Sequence, residues 1–436
     1  MSKTHASSDP FSASRKSGSL LKNLGITFFE TIVTKGFNFL IILMLTRALG
    51  PEDYGKYSFI FVMIALSSAL FDFGMENTAV RFAARDKDEK QSIFGLYLSV
   101  KLGILMVLVL FLVLGNVWFF ELMHKSGMSQ YTPFLILGLL GESLFFVNDT
   151  YLQASQRFKL RAWLNISRFG LSLLWIIFLL YSGQLFLERA MLIYWIPLIF
   201  SLVFLGKYVG FLKAFWSKAL NPKLLSEIIG YERWMLIYSV ANNLIGRLDF
   251  FMLGLWVSYA QLGIYNAAVQ LCAIISFLPL VLGKVLLPTL AELDEVQIFR
   301  TTGKMIRGTG MMALGAVLLI PASIWLVPLL LGSSYQDSVG VLQILVLAFL
   351  AGLMSMPYEQ ALYSLGKPDI LCGCRYAQLI VIVLLNCWII PVFGVYGAAA
   401  VTFLGRVLYL LQIRWFYLKF QSSVSEKPLS DLAVMT

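Results

Sequence analysis

The stretch LGITFFETIVTKGFNFLIILMLT, residues 24–46, is long and apolar enough to cross a bilayer as a single helix. A hydrocarbon core about 30 Å thick needs roughly 20 residues of helix. The polar residues of the stretch recur every three or four positions and so share one helical face: Thr27, Glu30, Thr31, Thr34, Lys35 and Asn38. A polar face inside a membrane must contact protein or water, so this helix is predicted to pack in a bundle.

Eleven further stretches meet the same length criterion, which predicts an all-α polytopic membrane protein with twelve transmembrane helices. The composition agrees, since 59% of the 436 residues are hydrophobic and only 13% are charged. Soluble domains have about a quarter charged residues. The predicted spans are 24–46, 57–76, 93–115, 132–153, 162–182, 190–212, 235–257, 262–284, 307–331, 339–363, 371–392 and 397–418.

The distribution of Lys and Arg predicts which side of the membrane each connection faces. Of the 34 Lys and Arg residues, 23 lie in the N-terminal tail, the even-to-odd connections and the C-terminal tail, counting Arg307, Arg375 and Arg414 at the adjoining span ends. Four lie in the opposite connections, and the other seven lie within spans. Cytoplasmic connections are enriched in Lys and Arg, so both termini are predicted to be cytoplasmic. Residues 1–23 are polar and Ser-rich without an apolar signal segment, which predicts a disordered cytoplasmic tail.

The two halves of the chain resemble each other at a spacing of 206 to 212 residues. Tyr54-Gly55-Lys56-Tyr57 matches Leu262-Gly263-Ile264-Tyr265 at 208. The nearly constant offset predicts two pseudo-symmetric six-helix bundles in the same orientation, as in parallel-repeat transporters. The predicted domains are the tail at 1–23, the N-terminal bundle at 24–212, a cytoplasmic linker at 213–233, the C-terminal bundle at 234–420 and a cytoplasmic tail at 421–436.

Several classes of function lack the residues that they require. The net charge of +10 comes from basic residues between the spans, so no nucleic-acid partner is predicted. Four cysteines and two histidines do not form the pattern of a metal site. The sequence contains no Gly-x-x-x-x-Gly-Lys-Ser/Thr motif and no plausible catalytic cluster. The chain is therefore predicted not to be an enzyme, to need no cofactor and to have no ATPase motor of its own.

Two cations lie about midway along predicted spans and coincide when the halves are overlaid at an offset of 212: Lys35 and Arg247. A charge near the bilayer centre is unfavourable by about 2.5 to 3.5 kcal/mol, so each cation needs a partner or a wet cavity. One interpretation is a substrate-binding site, with neighbouring polar residues Asn38, Asn242 and Asn243. The other is a pair of structural ion pairs with Glu30 and Asp249. The residues alone leave both open.

Buried carboxylates are candidates for ion coupling. Glu142 is the acid nearest the predicted midplane, where it could carry a coupling proton or serve as a hydrogen-bonded structural acid. Glu30 and Asp249 are the other ion-coupling candidates. Asp149 and Glu359 correspond at an offset of 210 and lie near predicted cytoplasmic ends, so they are interpreted as interfacial anchors.

A set of short motifs resembles the polysaccharide transporter family of oligosaccharide and O-antigen flippases, within the multidrug, oligosaccharidyl-lipid and polysaccharide exporter superfamily. The match runs from about residue 20 to 418 in consistent order. The motifs are RALGPEDYG at 47–55, DFG at 72–74 leading to Arg81, RLD at 247–249, LGIYNAA at 262–268, LGKP at 365–368 and FGVYGAAA at 393–400.

The resemblance implies a two-bundle flippase that moves an undecaprenyl-diphosphate-linked oligosaccharide, such as an O-antigen or exopolysaccharide repeat unit, from the cytoplasmic to the periplasmic leaflet. It implies alternating access around a central, largely cationic cavity, where Lys35 and Arg247 bind the diphosphate while the prenyl tail stays in lipid. The implied location is the cell inner membrane. The implied partners are the lipid bilayer, the polysaccharide polymerase and the chain-length machinery.

Two other transporters of the same fold are alternatives. A cation or drug antiporter is expected to have a predominantly acidic cavity, whereas Lys35 and Arg247 are basic. A lipid II-type flippase usually has fourteen helices, whereas twelve favour the O-antigen or exopolysaccharide branch.

Overall fold

A computed structural model describes residues 10–217, 222–273 and 295–425, and within these ranges the chain is helical and contains no strand. Apolar runs of this length become helices because a segment in lipid must satisfy its backbone hydrogen bonds internally. The helices are α1 (Pro10–Leu70), α2 (Met75–Arg85), α3 (Lys90–Leu122), α4 (Thr132–Ala154), α5 (Phe158–Tyr181), α6 (Leu187–Met191), α7 (Trp195–Leu202), α8 (Leu205–Ser217), α9 (Pro222–Ile245), α10 (Leu248–Trp256), α11 (259–273), α12 (Glu295–Val317), α13 (Leu319–Leu331), α14 (Ser338–Ser364) and α15 (Pro368–Ser425).

Two of the longest helices are interrupted by a glycine with non-helical backbone angles. Gly50 has φ 72° and ψ 176°, and Pro51 follows as the first residue of the next helical segment. Gly394 has φ 54° and ψ −132°. Glycine adopts such angles readily, and proline suits the first turn of a helix. The breaks therefore fall where the sequence predicts the connections between the first two and the last two spans.

Six helices in the described ranges are long and apolar enough to cross a membrane, or up to eight if each of two bent helix pairs is one span. Two of the six, Gly25–Leu70 with 46 residues and Asp369–Ser422 with 54, contain the breaks at Gly50 and Gly394 and are long enough for two crossings each. The chain is a multi-pass membrane protein. The count of twelve spans and the cytoplasmic location of the termini stay predictions.

Segments predicted as tails or linker are largely helical where the structure describes them. Residues 10–23, predicted to be disordered, extend α1 as a helix. The predicted linker includes the end of α8 and the start of α9, and residues 421–425 belong to α15. Polar composition lowers the hydropathy of these segments, but Lys, Arg and Ser are compatible with a helix. Residues 1–9, 218–221 and 426–436 lie outside the described ranges.

The two halves meet at a contact that follows the internal repeat. A methyl group added to Gly55 would lie 1.8 Å from the carbonyl oxygen of Tyr259, and one added to Gly263 would lie 2.1 Å from that of Pro51. Gly55 and Gly263 are 208 residues apart, and so are Pro51 and Tyr259. Each contact thus recurs with the halves exchanged, as at a two-fold axis. We call this contact the Gly55–Gly263 interface.

Buried side chains continue the same symmetry beside the glycines. Asn266 Nδ2 donates hydrogen bonds to Ser58 Oγ at 2.8 Å and to the Tyr54 hydroxyl at 3.1 Å. Ser58 and Asn266 are also 208 residues apart, so this bond joins equivalent positions of the two halves. All three side chains are buried, and the apolar core around them includes Phe59 and Leu253 from opposite halves.

Basic residues of the first half cap helices of the second half on the same face. Arg47 Nε donates to the Leu330 carbonyl at 2.9 Å, in the last turn of α13. Lys125 Nζ donates to the Val257 carbonyl at 2.6 Å, at the C-terminus of α10. Cations are favourable at helix C-termini because the terminal carbonyls carry partial negative charge. These two contacts therefore stabilise the closed Gly55–Gly263 interface.

Candidate functional site

A cavity of about 620 Å³ lies between the helices of the first half and the adjoining part of α9. Within the described ranges, the second half contributes only Ser239, Asn243 and Arg247 to its lining. The charged lining residues are Glu30, Lys35, Asp72, Glu76, Lys101, Glu142, Asp149, Arg161, Arg168 and Arg247. Ionisable groups among membrane helices are expensive and usually face a pathway or a partner, which makes this cavity the candidate functional site.

The structure brings most of the predicted site residues to this cavity. Its lining includes Lys35, Asn38, Arg247, Asn243, Glu30 and Glu142. Asp249 is not part of the described lining, and its carboxylate accepts hydrogen bonds from the Tyr265 hydroxyl, from Thr402 Oγ1 at 3.2 Å and from the Phe250 amide at 2.8 Å. The Asn242 side chain lies outside the part of the chain that the structure describes.

One end of the cavity contains Arg168, which donates a hydrogen bond to Glu142 across the α4–α5 contact. Lys35 lies at the same level of the bundle as Arg168, because α1 and α5 run side by side and Phe37, two residues after Lys35, lies beside Gly170, two residues after Arg168. The ring of Phe37 would be 3.5 Å from a methyl group added to Gly170. Five residues separate Lys35 from Glu30, which is about 7.5 Å along a helix. Lys35 is therefore well separated from the charges near the start of the first span.

Arg247 reaches the same end from the break between α9 and α10, where it occupies the N-cap position. It interacts electrostatically with Glu142, and its buried Nη1 has no hydrogen-bond partner among the described residues. Lys35 likewise forms no ion pair with any described residue. We call this group the basic end of the cavity, defined by Lys35, Glu142, Arg168 and Arg247.

At the opposite end, Arg161 joins three helices. Its Nε and Nη2 donate to the two carboxylate oxygens of Asp149, both at 2.8 Å, and its Nη1 lies 3.8 Å from Glu30. Asn165 Nδ2 also donates to Asp149, at 2.9 Å. A bidentate guanidinium–carboxylate pair is strong and fixes geometry, so Arg161 holds α1, α4 and α5 together.

The DFG motif shapes this end. Gly74 has φ 90°, which lets the chain turn between α1 and α2. Asp72 Oδ2 accepts a hydrogen bond from the Glu76 amide at 3.1 Å, in the first turn of α2, and its Oδ1 accepts one from Lys101 Nζ at 2.5 Å. The motif thereby anchors the turn and places Glu76 in the lining. We call this group the acidic end, defined by Glu30, Asp72, Glu76, Lys101, Asp149 and Arg161.

The prediction of a largely cationic cavity is wrong for the cavity as a whole, since its described lining contains five acids and five bases. The charges are separated instead: the acidic end has four carboxylates and two cations, and the basic end has three cations and one carboxylate. The prediction was based on the two midspan cations alone. It did not include most of the acids, because they lie nearer the helix ends. Tertiary packing places both sets in one cavity.

The alternative that Lys35 and Arg247 form ion pairs with Glu30 and Asp249 receives no support from these contacts. Glu30 lies beside Arg161, and Asp249 is hydrogen-bonded to hydroxyl and amide donors. The two midspan cations therefore face the cavity.

Asp149 and Glu359, interpreted from sequence as interfacial anchors, are acids of buried or half-buried ion pairs instead. Arg375 Nη2 lies 3.2 Å from Glu359 and joins α15 to α14, as Arg161 and Asp149 join α5 to α4. The arginines are 214 residues apart and the acids 210, so the pair recurs in both halves. It fixes a helix–helix contact in each half.

None of the predicted site residues comes from α5, although α5 contributes to the cavity. Arg161, Asn165 and Arg168 occur at spacings of four and three, the same kind of polar stripe that marks the first span. A stripe search applied to every span would have found them. Their partners on α4 are separated in sequence and only the fold pairs them.

The family model described as polysaccharide biosynthesis protein matches residues 20–294. The chain belongs to the polysaccharide biosynthesis protein family. A relative from Shigella flexneri, described as a candidate O-antigen transporter, is 22% identical over 404 residues, covering 87% of this chain and 93% of the relative. The resemblance drawn from the motifs is confirmed.

Solved transporters share the fold of this polysaccharide biosynthesis protein. An inward-facing MATE family multidrug resistance transporter of the MOP superfamily aligns with a TM-score of 0.69 and 12% identity, over 91% of this chain and 96% of that one. The lipid II flippase MurJ in an inward closed conformation also has a TM-score of 0.69 and 12% identity, over 93% and 89%. At such identity the likeness shows the fold alone, which a drug transporter and a lipid flippase have in common.

Proposed function

We propose that this polysaccharide biosynthesis protein is a flippase for an undecaprenyl-diphosphate-linked oligosaccharide, an O-antigen or exopolysaccharide repeat unit. The observation that carries the proposal is that one cation from each half, Lys35 and Arg247, faces the same cavity without an ion pair among the described residues. A diphosphate in a low-dielectric site requires compensating cations. The likeness to a candidate O-antigen transporter supports a saccharide cargo.

The size of the cavity suits a headgroup rather than a whole lipid. Ligand sites commonly have volumes of about 300 to 1,000 Å³, and this cavity has about 620 Å³. The diphosphate and the first sugars would fill it while the prenyl tail stays in the bilayer. The inner membrane is the proposed location, and the polysaccharide polymerase and chain-length machinery are the proposed partners.

Alternating access is supported by contacts at both ends of the segment 51–85, with the second half at one end and with the start of α9, the helix that leads into the second half, at the other. The Gly55–Gly263 interface lies at one end. At the other end, Arg85 Nη2 lies 2.8 Å from Glu227 of α9, and the Arg81 guanidinium lies 4.3 Å from the centre of the Tyr231 ring. In the proposed cycle, one set of contacts opens while the other stays closed, so the cavity faces one leaflet at a time.

The membrane potential would favour this direction of transport. Moving about two negative charges out of a compartment that is negative inside is favourable by roughly 4.6 kcal/mol per 100 mV. The proposed flippase therefore needs no ATPase motor for direction. The ion-coupling roles of Glu30, Glu142 and Asp249 stay predictions.

The proposal is tested by flipping assays on purified variants in liposomes, using lipid-linked oligosaccharide that accumulates when the protein is depleted. Lys35→Ala and Arg247→Ala should each slow flipping about tenfold to a hundredfold, because each removes a charged hydrogen-bond donor. Lys35→Arg and Arg247→Lys should retain part of the activity. Lys159→Ala is the matched control, since Lys159 is an exposed cation outside the described lining.

Rates are normalised to folded protein, so a loss of abundance is not counted as a loss of flipping. Wild-type rates in both alanine variants would show that the two cations belong to the scaffold.

A cation or drug antiporter is the second candidate, and the acidic end favours it. Four carboxylates with two cations leave an excess of negative charge that an organic cation could neutralise. Transport of a cationic dye by the same liposomes, with no flipping of the oligosaccharide lipid, would establish the antiporter instead.

A further inference from the structure

Glu76 is the acid in the described lining that no cation holds. Asp72, Asp149, Glu30 and Glu142 each lie within 3.8 Å of a nitrogen of Lys101, Arg161 or Arg168. The Glu76 carboxylate forms no hydrogen bond or ion pair with the residues that the structure describes, and it faces the cavity. It is therefore the acid that is free to change its protonation without breaking an ion pair.

The cations near Glu76 form ion pairs with other carboxylates. Those that interact with it, from its own segment and from α3, α4 and α5, are Asp72, Lys101, Asp149 and Arg161. On α9, which packs against α2, Glu232 lies near Asp72. Lys101 is bound to Asp72 and Arg161 to Asp149, and neither cation forms an ion pair with Glu76.

We propose that Glu76 is a proton-binding site linked to the headgroup site, so that it takes up a proton from solution when a diphosphate enters the basic end. The inference rests on the proposed function for the identity of the anion. Bringing negative charge into a low-dielectric cavity favours protonation of a nearby carboxylate, and most strongly of one without a cationic partner.

The linkage has a definite sign. If binding of the anion takes up a proton, then raising the pH weakens binding, because the proton concentration is lower at higher pH. The proposal moves the coupling role from Glu142, whose carboxylate is held by Arg168, to Glu76 in the turn built by the DFG motif.

The test measures proton uptake directly. Farnesyl diphosphate is titrated into the purified full-length protein by calorimetry, in buffers with different enthalpies of ionisation. Wild type should take up about one proton per bound diphosphate, and Glu76→Gln about none. Glu76→Asp should restore uptake, and the exposed Glu121→Gln should not change it.

Unchanged uptake in Glu76→Gln would overturn the proposal, as would loss of uptake in Glu142→Gln with uptake retained in Glu76→Gln. If farnesyl diphosphate does not bind wild type at all, the headgroup site fails, and Glu76 is tested separately by infrared titration of the protein alone. A carboxylic-acid band that titrates in wild type and is missing from Glu76→Gln is then expected. Identical spectra would show that Glu76 binds no titrating proton.

Discussion

Replacing Gly263 with Ala is expected to force the two halves apart at the Gly55–Gly263 interface. The added carbon would lie 2.1 Å from the Pro51 carbonyl oxygen, and one at Gly55 would lie 1.8 Å from that of Tyr259, where ordinary contacts are 3.4 to 4 Å. Both neighbours are backbone atoms that cannot rotate away, so the helices must separate by roughly 1.3 to 1.6 Å. Overpacking of this kind destabilises proteins by about 1 to 3 kcal/mol.

The direction in which the melting temperature changes distinguishes overpacking at this interface from an effect of helix propensity. Ala is normally more stable than Gly inside a helix, by about 0.5 to 1 kcal/mol. Gly103 in α3 has no atom within 4 Å of an added methyl group, so Gly103→Ala is the matched control. It should leave the melting temperature unchanged or raise it, whereas Gly263→Ala and Gly55→Ala should lower it.

The separation itself is measured by electron spin resonance between labels at Glu52 and Gln261, which are exposed on either side of the interface. The labels are introduced into a variant without the four native cysteines. Both alanine variants should shift the label distances to longer values, and Gly103→Ala should not. Wild-type distances together with a wild-type melting temperature in Gly263→Ala would refute the close approach of the two glycines.

Two further predictions concern buried polar contacts. Arg161→Ala leaves the buried Asp149 carboxylate without its bidentate partner and should destabilise the protein by about 3 to 5 kcal/mol. Arg157→Ala, at an exposed position, should have little effect. Abundance and melting temperature in detergent measure both variants. Asn266→Asp replaces the amide group that donates to Ser58 with a carboxylate that can only accept, and it should lower the melting temperature. An unchanged melting temperature would show that this hydrogen bond does not stabilise the interface.

The sequence was sufficient for properties that depend on local composition. Apolar runs of about twenty residues predict helices whatever they pack against, and the Gly50-Pro51 pair marks where one ends and another begins. The offset of 208 residues predicted which positions are equivalent, including Gly55 and Gly263. It gave no reason to expect these equivalent positions to touch, because a repeat specifies similarity and not proximity.

Which residues share the cavity was only partly determined by sequence. The polar stripe of the first span and the overlay of the halves at an offset of 212 predicted Lys35 and Arg247, since helical periodicity alone puts polar residues on one face. The pairing of Arg168 with Glu142 joins α5 to α4, and that of Lys101 with Asp72 joins α3 to the turn after α1. Ion pairs between helices depend on register and packing, which no single segment specifies. Tertiary structure therefore decided which cavity charges are neutralised, and in doing so it left Lys35, Arg247 and Glu76 unpaired among the described residues.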